Sequence, residues 1–400
     1  MRKALTNIVF SYTIMSIHFI IFLEEIIMKA YTFKLYKNRK KEKSLHASLD
    51  SACSIWNHCI ALHRRYYRRF DKYLSLYTLQ KHVTKLKKWK RYRFWNVLGS
   101  QAIQDITQRI ERSYQQFFRN LKKRKKGDHP SPPHFKKRSK YHSFTLKQCG
   151  WDLDQDRHTI RIGDTFFKYF HSRDIEGIIK TITLKQDSLG DFYIFIVTDH
   201  VPPEVASPTG KIVGFDFGLK MFLTSFDGTE YSEIESPLFF KQSSKKVKNA
   251  HRNFSKKRKG SRNRFKAHKH LSRTYKKISN QRKDFFHKLG RTLSQTYSLI
   301  VLEDLNLNGM KKLWGRKVSD LSFGTFVGIL EWQCFKNGSK VHFVDRFFPS
   351  SKLCSECGCL NDALTLRDRI WTCPDCETTH LRDNNAALNI WRNGFHSLMG

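Results

Sequence analysis

Two apolar runs in this chain each carry a carboxylate that a folded core cannot hold unaided. Ile212-Val213-Gly214-Phe215-Asp216-Phe217 and Ile300-Val301-Leu302-Glu303 read as buried β-strands, where an unpaired charge costs several kcal/mol. A third acid, Asp383, opens an alanine-rich helical stretch whose Ala386, Ala387, Leu388 and Ile390 suit packing on a sheet. Strand, strand and helix can deliver three carboxylates to one edge of a mixed sheet. Crowded carboxylates repel and raise one another's pKa, and hard cations such as Mg²⁺ relieve that repulsion. Each acid alone has a plain alternative: two strand-end residues and one helix cap. The three together, in this order, point to a metal site.

The surroundings say what such a site would act on. Of the 400 residues, 74 are Lys or Arg against 35 Asp or Glu, a formal charge of +39. A folded protein so far from neutrality suits a polyanionic partner, and nucleic acid would bind it with a steep salt dependence. Basicity alone would equally fit a ribosomal-type protein; the acids favour metal-dependent phosphodiester chemistry. Apolar residues make up 40% of the chain, enough for two or three domains with real cores.

Four of the nine cysteines form two pairs, Cys354-x-x-Cys357 and Cys373-x-x-Cys376, fifteen residues apart. That is zinc-ribbon spacing, and four thiolates close a tetrahedral site with no open position, so one structural Zn²⁺ is expected. Cys359 and His380 lie close by and are assigned ordinary structural roles. Cys53, Cys59, Cys149 and Cys334 are scattered, as in a reducing cytoplasm rather than a disulfide framework.

Ile8 to Leu23 is an uncharged, mostly apolar run, broken by Ser11, Thr13, Ser16 and His18 and shorter than a usual membrane span. Met28 then opens a strand-like start, so residues 1–27 are expected to be a non-functional extension from an upstream start codon, with no membrane role. Residues 28–205 read as strands around a helical insert of about 45–125. Ile103, Ile106, Ile110, Tyr114 and Phe117 form the buried stripe of one helix, and a partner helix near Leu49 carries Ile55, Trp56 and Cys59. Between them, Lys81 to Trp95 mixes cations with Trp89, Tyr92, Phe94 and Trp95, a texture suited to phosphate contact and base stacking or to a solvated face with core aromatics. Thr159–Ile162 alternates, and Ile178–Leu184 pairs plausibly with Phe192–Thr198 through a turn at Asp187–Asp191. A small β-barrel around the helical insert is expected, then a linker over 201–210.

From Lys211 the expected order is strand, strand, basic helical arm (about 241–290), strand, helix, strand, zinc ribbon (about 350–378) and final helix, closing the domain 211–400. Lys241 to Lys288 holds nineteen Lys or Arg and a single acid, Asp284. Its scattered apolar residues suit a helical hairpin lying along a duplex.

Gly214 to Lys220, Val301 to Asn306, Asp345-Arg346-Phe347-Phe348-Pro349-Ser350-Ser351-Lys352-Leu353-Cys354 and Arg382 to Ala387 together resemble the TnpB proteins of insertion sequences, compact relatives of the type V CRISPR nucleases. The similarity runs from about Met28 to Trp391, and Leu381 departs from it where family members often have Asp. The resemblance implies an α+β multidomain protein: a wedge β-barrel with a helical recognition insert, then a ribonuclease H-like (RuvC) α/β nuclease domain with an inserted zinc ribbon. It implies that Asp216, Glu303 and Asp383 are catalytic and bind two Mg²⁺, and that Cys354, Cys357, Cys373 and Cys376 bind zinc. It further implies an RNA-guided endonuclease of the cytoplasm and nucleoid. That enzyme would take guide RNA from the element's end and double-stranded target DNA as partners, with no obligate protein partner. The competing readings are a catalytically silent RNA-guided DNA-binding protein and a transposase acting directly in strand transfer.

Overall fold

Alternation of Tyr31, Phe33 and Leu35 turns one side of the first strand, β1 (Lys29–Lys34), and the residue after it into a core. The structure is a computed structural model that describes residues 28–124, 127–200, 205, 208–365 and 367–399. The leading segment 1–27 and most of the expected 201–210 linker lie outside the described residues. The chain divides into two compact units at Val201/Pro202.

In the first unit β1 leads to helices α1 (Arg39–Phe70), α2 (Leu76–Leu86) and α3 (Ser100–Lys122), then to β2 (Ser143–Leu146), β3 (Trp151–Asp154), β4 (Thr159–Ile162), β5 (Thr165–Lys168), β6 (Ile179–Gln186) and β7 (Phe192–Thr198). Two antiparallel sheets result, ordered β1-β7-β6-β2 and β3-β4-β5, and a Leu35–Tyr169 bridge links them. One core takes Phe33 and Ile194 from the first sheet, Ile160 and Phe167 from the second, and Trp56 and Ile110 from the helices. Helix α1 starts well before Leu49 because Asn38 caps it, its side chain accepting the Lys41 N–H at 3.1 Å, and Glu42 complements the first turn. The expected stripe on α3 is buried from Ile103 to Tyr114. Of the aromatics between Lys81 and Trp95, Trp95 is fully buried and donates Nε1–H to Ser54, whereas Trp89 and Phe94 are exposed.

In the second unit β8 (Ile212–Phe217), β9 (Met221–Phe226) and β10 (Tyr231–Glu235) precede a hairpin of α4 (Phe239–Ser255) and α5 (Arg262–Thr296). Then come β11 (Leu299–Glu303), α6 (Leu307–Leu321), α7 (Phe323–Asn337), β12 (Lys340–Val344), β13 (Ile370–Thr372), β14 (Thr379–Leu381) and α8 (Arg382–Met399). The main sheet is ordered β10-β9-β8-β11-β12, with β8, β11 and β12 mutually parallel and β9 antiparallel to both of its neighbours. Strand β10 escapes a hydrophobic pattern because Ser232, Glu233 and Glu235 belong to a solvated edge. Two helices replace the one expected before β12, divided where Ser322 adopts a left-handed φ of 50°.

The sheet's two faces are covered differently. Val213, Phe215, Ile300 and Leu302 face a core with Phe286 of α5 and Phe326 of α7. Leu299, Val301 and Val344 face Ile390 of α8. Helix α8 approaches closely because two glycines leave room: a Cβ on Gly214 would overlap the backbone of Ala387 and Trp391, and one on Gly394 would overlap the Val301 side chain. Gly214→Ala should therefore lower stability by about 1–3 kcal/mol through overpacking, read as a fall in melting temperature of the full chain. An unchanged melt would show that α8 can move away freely.

A candidate metal-dependent active site

The β8–β11 register decides where the acids go. Leu302 pairs with Phe215, so the next rung carries Glu303 and Asp216 side by side on neighbouring strands about 4.8 Å apart. Period-two alternation turns both toward the face that α8 covers. Asp383, in the first turn of α8, arrives from above. All three line one cavity of about 1310 Å³.

The electrostatics follow from this convergence. Burial, then the charges of Glu303 and Asp383, hold the Asp216 carboxyl well above the usual carboxylate range, against opposing contributions from Arg382 and Arg369. Burial also raises Glu303, opposed by a hydrogen bond from the Ser350 hydroxyl to its Oε1. Asp383 is held by two guanidinium groups: Arg369 Nη1 lies 3.0 Å from Oδ2 and Arg382 Nη2 lies 3.1 Å from Oδ1. The same cavity is lined by cations, Lys220, Lys241, Lys248 and Arg252 joining the two arginines. Such a cavity can hold a phosphodiester against its basic side chains and cations at its carboxylates.

The zinc-ribbon cysteines also meet. Ligand atoms of Cys354, Cys357, Cys373 and Cys376 lie within 4.8 Å of one another. The Cys354–Cys376 and Cys357–Cys373 sulfur separations are 3.6 and 3.5 Å. A tetrahedral Zn²⁺ with 2.3 Å bonds needs edges of about 3.8 Å, so the group fits the ion. Each pair turns through a left-handed residue, Gly358 after Cys357 and Glu377 after Cys376. Burial pushes the Cys354 thiol up, whereas the Thr378 hydroxyl brings Cys376 down to about 6. His380 Nε2 sits 3.1 Å from Cys354 Sγ, where its N–H form donates to the sulfur, and Cys359 packs beside the cluster.

Residues to which the sequence reading gave no role join the two sites. Buried Asn385 and Asn389, one turn apart on α8, each donate to the Leu353 carbonyl at 2.7 Å. Asn389 also donates to the Ser350 carbonyl at 2.8 Å, and Asn385 Oδ1 accepts the Ser355 N–H at 3.0 Å. The helix carrying Asp383 thus grips the segment that bonds Glu303 and enters the zinc knuckle. Their four-residue spacing on the α8 face that packs inward was the available signal. At the foot of the basic hairpin, buried Asp320 caps α4 by accepting the Phe240 and Lys241 N–H groups at 3.0 and 3.1 Å, and Arg282 holds Asp320 at 3.2 Å.

Two outcomes are expected. Metal analysis should find one zinc per chain, lost with a drop in melting temperature in Cys354→Ser or Cys373→Ser; a metal-free wild type of unchanged stability would contradict it. A folded Asp216 binds its proton more tightly than the unfolded chain does, so in metal-free protein its contribution to stability falls as pH rises above about 4. Wild type should therefore gain stability relative to Asp216→Asn as pH is lowered, and a pH-independent difference would contradict the crowded-acid geometry.

The chain is similar to known proteins along most of its length. The family model OrfB_IS605, described as "Probable transposase", matches residues 195–313, and the Cas12f1-like TNB domain matches residues 323–390. A "Putative RNA-guided DNA endonuclease" of Streptomyces pristinaespiralis is 28% identical over 376 residues, covering 91% of this chain and 89% of its own. The similarly described InsQ of Escherichia coli K12 is 27% identical, covering 71% and 68%. Among solved structures, the mini RNA-guided endonuclease CRISPR-Cas_phi3 shares the fold with a TM-score of 0.50 at 10% identity, covering 92% of each chain. The two family models together match much of the second unit, and the similarity to the Streptomyces relative continues through the first.

Proposed function

We propose that this protein is an RNA-guided DNA endonuclease of an insertion sequence, cutting double-stranded DNA at the cavity where Asp216, Glu303 and Asp383 meet. The observation that carries the reading is that convergence, in a cavity that lysines and arginines also line. The three acids would hold two Mg²⁺, which when bound would activate water and stabilise the leaving oxygen at the scissile phosphorus. The chain's own residues do the rest. Lys220, Lys248 and Arg252 bind the phosphate backbone, Ser350 orients Glu303, and Arg369 and Arg382 hold Asp383.

The second unit is read as a RuvC-like, ribonuclease H-type domain, supported by the β10-β9-β8-β11-β12 order and by acids on adjacent parallel strands. The first unit is read as a wedge barrel with a helical recognition insert, supported by its two linked sheets and single core. The α4–α5 hairpin offers its cations to a duplex, and exposed Trp89 and Phe94 offer stacking surfaces. Base pairing with the guide would read the target sequence while the protein reads backbone shape and a short duplex motif. Three retained acids disfavour a catalytically silent binding protein. Among the described residues no helix is long and apolar enough to cross a membrane.

The test is to express the chain from Met28 with its native flanking DNA, sequence the co-purifying RNA, and present a plasmid matching its end. One discrete RNA and cutting of the matched plasmid are expected. Asp216→Ala should lower cutting below detection while leaving DNA binding within a few-fold of wild type. Random RNA, or undiminished cutting by Asp216→Ala, would overturn the reading.

A further inference from the structure

Phe347 is 87% exposed, the most exposed large apolar side chain among the described residues. The turn that presents it is well tied. Asp345 Oδ1 accepts the Phe347 N–H at 2.8 Å, and the Asp345 carbonyl accepts the Phe348 N–H at 3.0 Å. Arg346 reaches back to Asp304, with Nη2 to Oδ2 at 2.6 Å and Nε to the carbonyl at 3.4 Å. Phe348 turns the other way and packs against the cluster under α8. Two adjacent phenylalanines are therefore sent in opposite directions, one into the core and one into solvent. Leaving such a ring in water forgoes about 1.5–3 kcal/mol of burial, and ties to the end of β11 keep it there.

The ring borders a cavity of about 670 Å³ whose wall also includes Phe217, Phe323 and Phe343, and Glu303. Glu303 lines the larger acidic cavity too. The β11–β12 register places Glu303 opposite Val344, three residues before Phe347. An aromatic pocket and the acid-lined cavity thus share Glu303.

We propose that Phe347 and this aromatic cavity form a nucleobase-stacking subsite, which takes an unpaired base of the DNA strand adjoining the phosphate held at the three acids. The proposal rests on the active-site reading above. A strand whose phosphate sits at Glu303 must place a neighbouring base nearby, and every base has a π-face to offer an aromatic ring. The polar groups of the turn are engaged with each other, Arg346 with Asp304 and Asp345 with the Phe347 N–H. The subsite therefore grips a base without reading its identity. A paired base cannot enter, so the pocket selects a strand already unwound.

The test uses the full chain with its co-purifying RNA and a single-stranded DNA oligonucleotide carrying 5-iodouracil, irradiated with Ca²⁺ in place of Mg²⁺. The expected result is a cross-link mapping to Phe347, lost in Phe347→Ala and restored in Phe347→Trp. Oligonucleotide affinity should weaken in Phe347→Ala by roughly 5- to 100-fold. Because the ring is exposed, the variant should melt as wild type does. No cross-link at Phe347, or a Phe347→Ala affinity within about twofold of wild type, would overturn the subsite. Sedimentation showing a dimer that Phe347→Ala dissociates would also overturn it, in favour of a second copy covering the ring. Asp216→Ala should keep the cross-link while failing to cut. Cutting by Asp216→Ala would instead overturn the active-site reading, so the two failures are distinguishable.

Discussion

Repulsion among three carboxylates is the constraint around which the second unit is organised. Parallel pairing of β8 with β11 forces Asp216 and Glu303 onto one rung of one face, and α8 then adds Asp383. No rearrangement of side chains alone could separate the first two, because strand register is set by Val213, Phe215, Ile300 and Leu302 packing on the opposite face. The unfavourable charge is thus a by-product of a favourable core. What remains adjustable is the protonation of Asp216 and the cations nearby, and both respond: the acid is raised, and Arg369 and Arg382 close on Asp383.

The cysteine cluster that fits zinc belongs to the same mechanical system. Cys354 begins its first knuckle directly after Leu353, whose carbonyl is gripped by Asn385 and Asn389. Ser350, four residues before Cys354, bonds Glu303 with its hydroxyl and Asn389 with its carbonyl. Fixing the knuckle fixes one end of this short span, and α8 fixes its middle. A structural metal can therefore stiffen an acid that it does not touch, through a chain of hydrogen bonds in a poorly solvated setting.

Much of this was legible from residues alone, for physical reasons that can be named. Asp216 and Glu303 stood out because each interrupts an apolar strand, and the cysteines because thiol spacing directly encodes a knuckle. Ser350 and Asn385 fell within quoted motifs without a role, and Asn389 fell outside them, since a serine in a loop and asparagines on a helix are ordinary until their partners are known. Trp95 shared a basic, aromatic texture with Trp89, yet one is core and the other is surface. Composition cannot make that distinction, because it depends on which ring reaches α1, where Trp95 bonds Ser54. The early start of α1 was written in Asn38 and Glu42, a capping signal outweighed by the run of lysines around it.

Gly214 and Gly394 carry no chemistry, yet they set the distance at which α8 lies over the sheet. Asp383 rides on that helix, whereas Asp216 and Glu303 are embedded in the strands beneath. The height of the helix is therefore the gap across which the third acid meets the other two. A methyl group added at either glycine acts as a shim, lifting one carboxylate away from its partners without altering any of them. The tolerance of the site is written in two missing side chains.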